Sequence, residues 1–94
     1  MAIGIGLVKA GFRPVPWVAY VPEVDLPVDN AAYPTMRLID PYGETMFSSF
    51  QCGAMLPDFE RLATDRPGPD TRAAADLVRR CARDGDTALW FIGD

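Results

Sequence analysis

The sequence predicts an α+β fold, a mostly antiparallel sheet of about four strands with two helices packed on one face, in the order β-β-β-α-α-β. Three observations predict it. Bulky residues alternate with small ones near the amino end, two later stretches place apolar residues three and four positions apart, and the chain closes on an almost wholly apolar run. A length of 94 residues, 49% of them hydrophobic, suits one domain over residues 1–94. Such a domain should bury roughly two-thirds of the surface its unfolded chain exposes.

The elements follow in order. In Ala2–Val8, Ile3, Ile5 and Leu7 alternate with Gly4, Gly6 and Val8, the pattern of a strand with one bulky and one flat face. A helix or neighbouring backbone can approach the glycine side closely. Ala10-Gly11-Phe12-Arg13-Pro14 supplies a turn, and Trp17–Val21 reads as a second strand that pairs with the first as a hairpin. Lys9 reads as a strand-end charge. It also stands where a dinucleotide-binding loop beginning Gly4-x-Gly6 would need its third glycine, and no helix follows, so that reading fails.

Between residues 14 and 41 lie Pro14, Pro16, Pro22, Pro27, Pro34 and Pro41, a density that forbids a continuous helix. Val24, Leu26 and Val28 alternate there with Glu23, Asp25, Pro27 and Asp29, which predicts an acidic edge segment with one face lightly buried. Its three carboxylates read as a solvated or partner-facing stripe, because a hard-cation site needs more ligands and a tighter loop. Thr35–Ile39 reads as a short third strand, closed by a type I turn at Asp40-Pro41-Tyr42-Gly43.

Ser48 and Gln51 form an S-x-x-Q capping box after Phe47, so a helix should start near Ser48. Its apolar stripe is Cys52, Met55, Leu56, Phe59, Leu62 and Ala63. Pro57 has no N–H and clashes with the carbonyl of Gly53, so it should kink this helix or split it. After the loop Asp65-Arg66-Pro67-Gly68-Pro69, Asp70 or a neighbour caps a second helix, which runs to about Arg83 before Gly85. Ala74, Leu77, Val78 and Cys81 make its stripe. Asp76 stands four residues from both Arg72 and Arg80, and Arg79, Arg80 and Arg83 suit the negative end of the helix. Thr87–Ile92, apolar on both faces, predicts a strand inside the sheet.

Composition excludes much chemistry. The chain has no histidine, the usual neutral-pH base and the commonest transition-metal ligand, so Ser-His and Cys-His pairs are absent. Its one lysine, Lys9, lies outside any phosphate-loop pattern. Cys52 and Cys81 are far apart in sequence and form no C-x-x-C. They read as small buried hydrophobes, with a disulfide or a reactive thiol as the alternative. No cofactor and no metal is implied. A formal charge of −4, with Arg72, Arg79, Arg80 and Arg83 interleaved with acids, argues against nucleic-acid binding. No apolar run reaches the length of a membrane span and Met1–Ala10 lacks the features of a signal peptide, which makes the cytoplasm the default location.

Two segments carry a resemblance. Asp40-Pro41-Tyr42-Gly43-Glu44-Thr45-Met46-Phe47 with Gln51, and the closing Leu89-Trp90-Phe91-Ile92-Gly93-Asp94, resemble a group of small bacterial proteins of unassigned function. Their shared pattern is D-P-Y-G-x-T-x-F, then Q, then a terminal L-W-F-I-G-D. The match covers about a sixth of the chain, and Ser48 stands where the pattern has asparagine. The resemblance implies no reaction or cofactor. It implies that the turn before the first helix and the end of the last strand meet in space, with Asp40, Tyr42, Glu44, Gln51 and Asp94 as the exposed candidates.

The function these features support is a non-catalytic protein-binding module of the immunity or inhibitor type. An acidic surface would steer a partner with a basic surface, Glu23, Asp25 and Asp29 would contribute to it, and Trp17, Tyr20, Tyr33 and Tyr42 are candidate anchors. The alternative is a self-associating structural or accessory subunit, a homo-oligomer. A small enzyme ranks last, because Ser48, Ser49, Asp40 and Glu44 lack recognisable catalytic partners.

Overall fold

A computed structural model describes residues 2–9 and 18–93. The turn expected at Ala10–Pro14, Trp17 and Asp94 lie outside the described residues. Four strands, β1 (Ala2–Lys9), β2 (Ala19–Asp25), β3 (Glu44–Ser48) and β4 (Thr87–Ile92), form one antiparallel sheet in the order β2-β1-β4-β3. Helices α1 (Ser49–Asp65) and α2 (Pro69–Arg83) connect β3 to β4. The α+β class, the two helices and the β-β-β-α-α-β order are those the sequence predicts.

Alternation in the strands sets the layers. Ile3, Ile5 and Leu7 of β1, Phe47 of β3, and Leu89 and Phe91 of β4 join Cys52, Met55, Phe59, Leu62, Ala74, Leu77, Val78 and Cys81 of the helices in one buried core. Phe91 anchors it, edge-on to Phe47 at 5.5 Å between ring centroids and tilted against Phe59 at 5.9 Å. Full burial of each such ring stabilises the fold by about 1.5–3 kcal/mol. β4 lies between β1 and β3, as its apolar run predicts.

The third strand is not where the sequence places it. Residues Pro34–Leu38 form a 3-10 helix, and the strand next to β4 is Glu44–Ser48. Pro34 fixes φ at the first helical position, where no N–H is missed. The buried Asp58 of α1 then accepts hydrogen bonds from both the backbone N–H, at 2.8 Å, and the hydroxyl of Thr35. A side chain 23 residues away thus caps this turn, a contact no local pattern announces. The Asp40–Gly43 turn forms as expected, with Tyr42 N–H donating to Asp40 Oδ1 at 2.9 Å.

Three further expectations are corrected. Pro57 does not split α1, which runs unbroken through it. The carbonyl left without a partner belongs to the exposed Gly53, while burial of Cys52, Met55, Phe59 and Leu62 on both sides of the proline holds the turns together. Asp70 does not cap α2; Gly68 holds that position with no side-chain cap, and Pro69 opens the first turn. Asp76 pairs with Arg79, at 2.6 Å, rather than with Arg72 or Arg80, and Arg79 also reaches Glu60 of α1 at 3.3 Å. The capping box is present in both directions, Ser48 Oγ accepting from Gln51 N–H and Gln51 Oε1 from Ser48 N–H.

Val24, Leu26 and Val28 are not lightly buried but belong to the core. In β2 the register against β1 shifts between Ile3 and Ile5, so that Gly4 opposes both Pro22 and Glu23 in a bulge. Tyr20 lies across the glycine side of β1: a Cβ on Gly4 would stand 2.5 Å from its hydroxyl. Among the described residues no helix is long and apolar enough to cross a membrane.

Candidate functional site

Because both helices pack on one side of the sheet, the residues between the core positions face the other side. The cross-strand register assembles them into rows. Tyr20 pairs with Gly6, Gly6 with Trp90, and Trp90 with Met46, one row across all four strands. Beside it run Gly4, Ile92 and Glu44. Tyr20 and Met46 are each 43% exposed, and Trp90 and Ile92 are partly exposed. Val8 and Ala88, on the same side at the Lys9 end, are buried. The result is a shallow apolar platform, with two aromatic side chains flanking a glycine and acidic groups at its edges, Glu44 on β3 and Glu23 in the bulge opposite Gly4.

The residues singled out from sequence do not gather into one cluster. Asp40 is exposed and its carboxylate accepts from the Tyr42 N–H, a turn-forming role. Tyr42 is 74% exposed. Glu44 stands exposed at the start of β3, and Gln51 is held by the capping box. Glu23, Asp25 and Asp29 are all exposed along the β2 edge and the loop after it. Asp94 lies outside the described residues. The turn and the end of β4 do meet: Gly93 N–H donates to Gly43 O at 2.7 Å, and Gly93 packs so tightly that a Cβ there would stand 2.8 Å from the Asp40 carbonyl oxygen.

Tyr33 is not an anchor. It is 4% exposed and its hydroxyl donates to Asp65 at 2.6 Å, which pushes the Tyr33 phenol up from its ordinary value. With Asp58 on Thr35 and Arg61 donating to Ala32 O, it completes a polar seam that ties residues 32–35 to α1. Sequence reasoning missed Asp58 because its apolar neighbours defined the stripe. It passed over Trp90 and Ile92 because an apolar run inside a sheet reads as buried on both faces, and Met46 because Glu44–Ser48 reads as the lead-in to a helix. Two helices on one side of a four-stranded sheet, both expected from sequence, already imply an uncovered face.

Two other places bring polar or ionisable groups together. Cys52 and Cys81 are free, wholly buried and side by side across the α1–α2 contact. Their shared hydrogen bond, then burial, pushes the Cys52 thiol up, whereas hydrogen bonds from Cys52 and Thr87 bring Cys81 down to about 7. Sealed in the core, the pair packs as small hydrophobes. A cleft of about 240 Å³ between the end of β2 and the start of α2 is lined by Asp25, Arg66, Asp70 and Thr71 among others, with both charge signs present. The Thr71 hydroxyl there already donates to Arg66 O at 2.8 Å. Among the described residues no three Cys, Asp or Glu side chains gather as a metal site would require. Comparison of the chain with protein-family models, with curated proteins and with solved structures finds no match.

Proposed function

We propose that this chain is a non-catalytic protein-binding module of the inhibitor or immunity type, whose docking face is the helix-free side of the sheet. The observation that carries this reading is the row Tyr20, Trp90 and Met46, apolar and aromatic groups kept partly in water by a rigid four-stranded frame. Burying such groups drives association, and aromatic side chains supply contact area at low entropic cost. The fitting partner presents an apolar patch inside a basic rim, because Glu44 and Glu23 stand at the edges of the platform and the chain carries a formal charge of −4.

The test uses the tagged chain as bait in its native lysate, at low and moderate salt, beside two variants checked for folding by circular dichroism. Tyr20→Arg places a cation on the platform, and the triple variant Glu23→Lys, Asp25→Lys, Asp29→Lys reverses the acidic edge. One dominant protein, lost with Tyr20→Arg and captured less by the triple variant or at higher salt, supports the proposal. Capture that neither variant changes refutes it.

A further inference from the structure

The two edges of the sheet are built differently. β2 is blunted by Pro22, by the bulge opposite Gly4 and by Glu23 and Asp25, the devices that stop an edge strand from recruiting another. β3 has neither a proline nor a bulge, and one acidic side chain, Glu44, at its first position. Residues 41–57, which run from the turn through β3 into α1, hold a single charged side chain, Glu44, although the chain contains thirteen acidic and nine basic residues.

The register shows which backbone groups β3 leaves open. The bond from Gly93 N–H to Gly43 O extends the β3–β4 ladder one pair beyond Glu44 and Ile92. In an antiparallel ladder bonded pairs alternate with non-bonded ones. Gly43, Thr45 and Phe47 therefore bond to β4, while Glu44, Met46 and Ser48 turn their N–H and C=O to the outer edge. Ser48 N–H confirms the parity by donating outward to Gln51 Oε1. Tyr42 N–H is likewise taken by Asp40 Oδ1. Among the described residues the open stretch is thus closed at both ends and offers Glu44 and Met46 between them.

We infer that this edge pairs with the same edge of a second copy of the chain, giving a two-fold symmetric dimer with a continuous eight-stranded sheet. With the axis at Thr45, Glu44 of each copy faces Met46 of the other, and the two pairs supply about four inter-chain hydrogen bonds. That register uses the open groups and asks nothing of Tyr42 or Ser48. It sets no like charges directly opposite, and it places threonine beside threonine at the axis, a favourable cross-strand pair. It also carries the β3–α1 corner of one copy past the Asp40–Gly43 turn of the other. Phe50, 89% exposed on the first turn of α1, then approaches Tyr42 of the opposite copy at each end of the shared edge. The helix-free platforms of both copies stay open, joined side by side.

Sedimentation velocity of the full chain, from low micromolar to submillimolar concentration, tests the pairing. The expected mass is twice the 10.3 kDa of one chain, and Phe50→Asp should weaken the dimer about tenfold or more. Met46→Pro, which removes an outward N–H and no β4 bond, should abolish it. Tyr20→Arg, on the far edge, should leave it unchanged, which separates this result from the docking reading above. A chain that stays at 10.3 kDa at the highest concentration overturns the inference. So does a dimer whose affinity Phe50→Asp leaves unaltered, and that variant keeps the test valid if Met46→Pro fails to fold.

Discussion

Replacing Asp58 with alanine should be the most damaging single change outside the apolar core. The carboxylate is 4% exposed and accepts from the N–H and the hydroxyl of Thr35, which is itself half-buried. Hydrogen bonds to a charged group contribute about 1.5–3 kcal/mol each, and a donor left unsatisfied in a buried place costs about 1–3 kcal/mol. Because Thr35 keeps partial access to water, the low end applies to both bonds, and the loss should be about 3 kcal/mol. A chain of this length is expected to have about 5–14 kcal/mol of stability in all. Urea unfolding followed by circular dichroism should show a lower midpoint at unchanged slope, with the melting temperature down by about 12–20 °C. Asp58→Asn keeps an acceptor without the charge and should lose about half as much. In a double-mutant cycle with Thr35→Val the coupling should reach about 1–2 kcal/mol. A loss under about 1 kcal/mol with additive single effects would falsify the claim that Asp58 holds the 3-10 turn in place.

Two more expectations concern the same frame. Gly93→Ala puts a methyl group against the carbonyls of Pro41 and Asp40, backbone atoms that cannot rotate away, so it should cost about 2–3 kcal/mol and separate the turn from β4. An unchanged urea midpoint would contradict that packing. For Tyr33, the hydrogen bond to Asp65 raises the phenol above its ordinary 10.0. The folded chain therefore keeps a proton that the unfolded chain releases, so this contribution is complete below pH 10 and is lost as pH rises through the raised value. Tyr33→Phe should be less stable at neutral pH yet decline less steeply above pH 10; parallel pH profiles for the two proteins would exclude the assignment.

What the sequence determined by itself rests on local signals strong enough to survive any packing. The alternation of Ile3, Ile5 and Leu7 and the helical spacing of Ala74, Leu77, Val78 and Cys81 each state an element and its buried face, while the Ser48–Gln51 box states a helix start and the apolar run into Ile92 an inner strand. Together they point to the α+β class, and the β-β-β-α-α-β order holds although its third strand lies at Glu44–Ser48. Where the competing preferences are nearly equal, distant groups decided. Thr35–Ile39 is apolar enough for a strand, but Asp58 supplies a cap for the turn that Pro34 begins. Glu44–Ser48 reads as a lead-in to a helix until β4 offers its free edge. Pro57 would break an isolated helix, yet the core contacts on either side outweigh one lost hydrogen bond. The exposed row of Tyr20, Trp90 and Met46 is likewise a property of register. Its members come from three strands spread across the chain, and only the pairing of those strands makes neighbours of them.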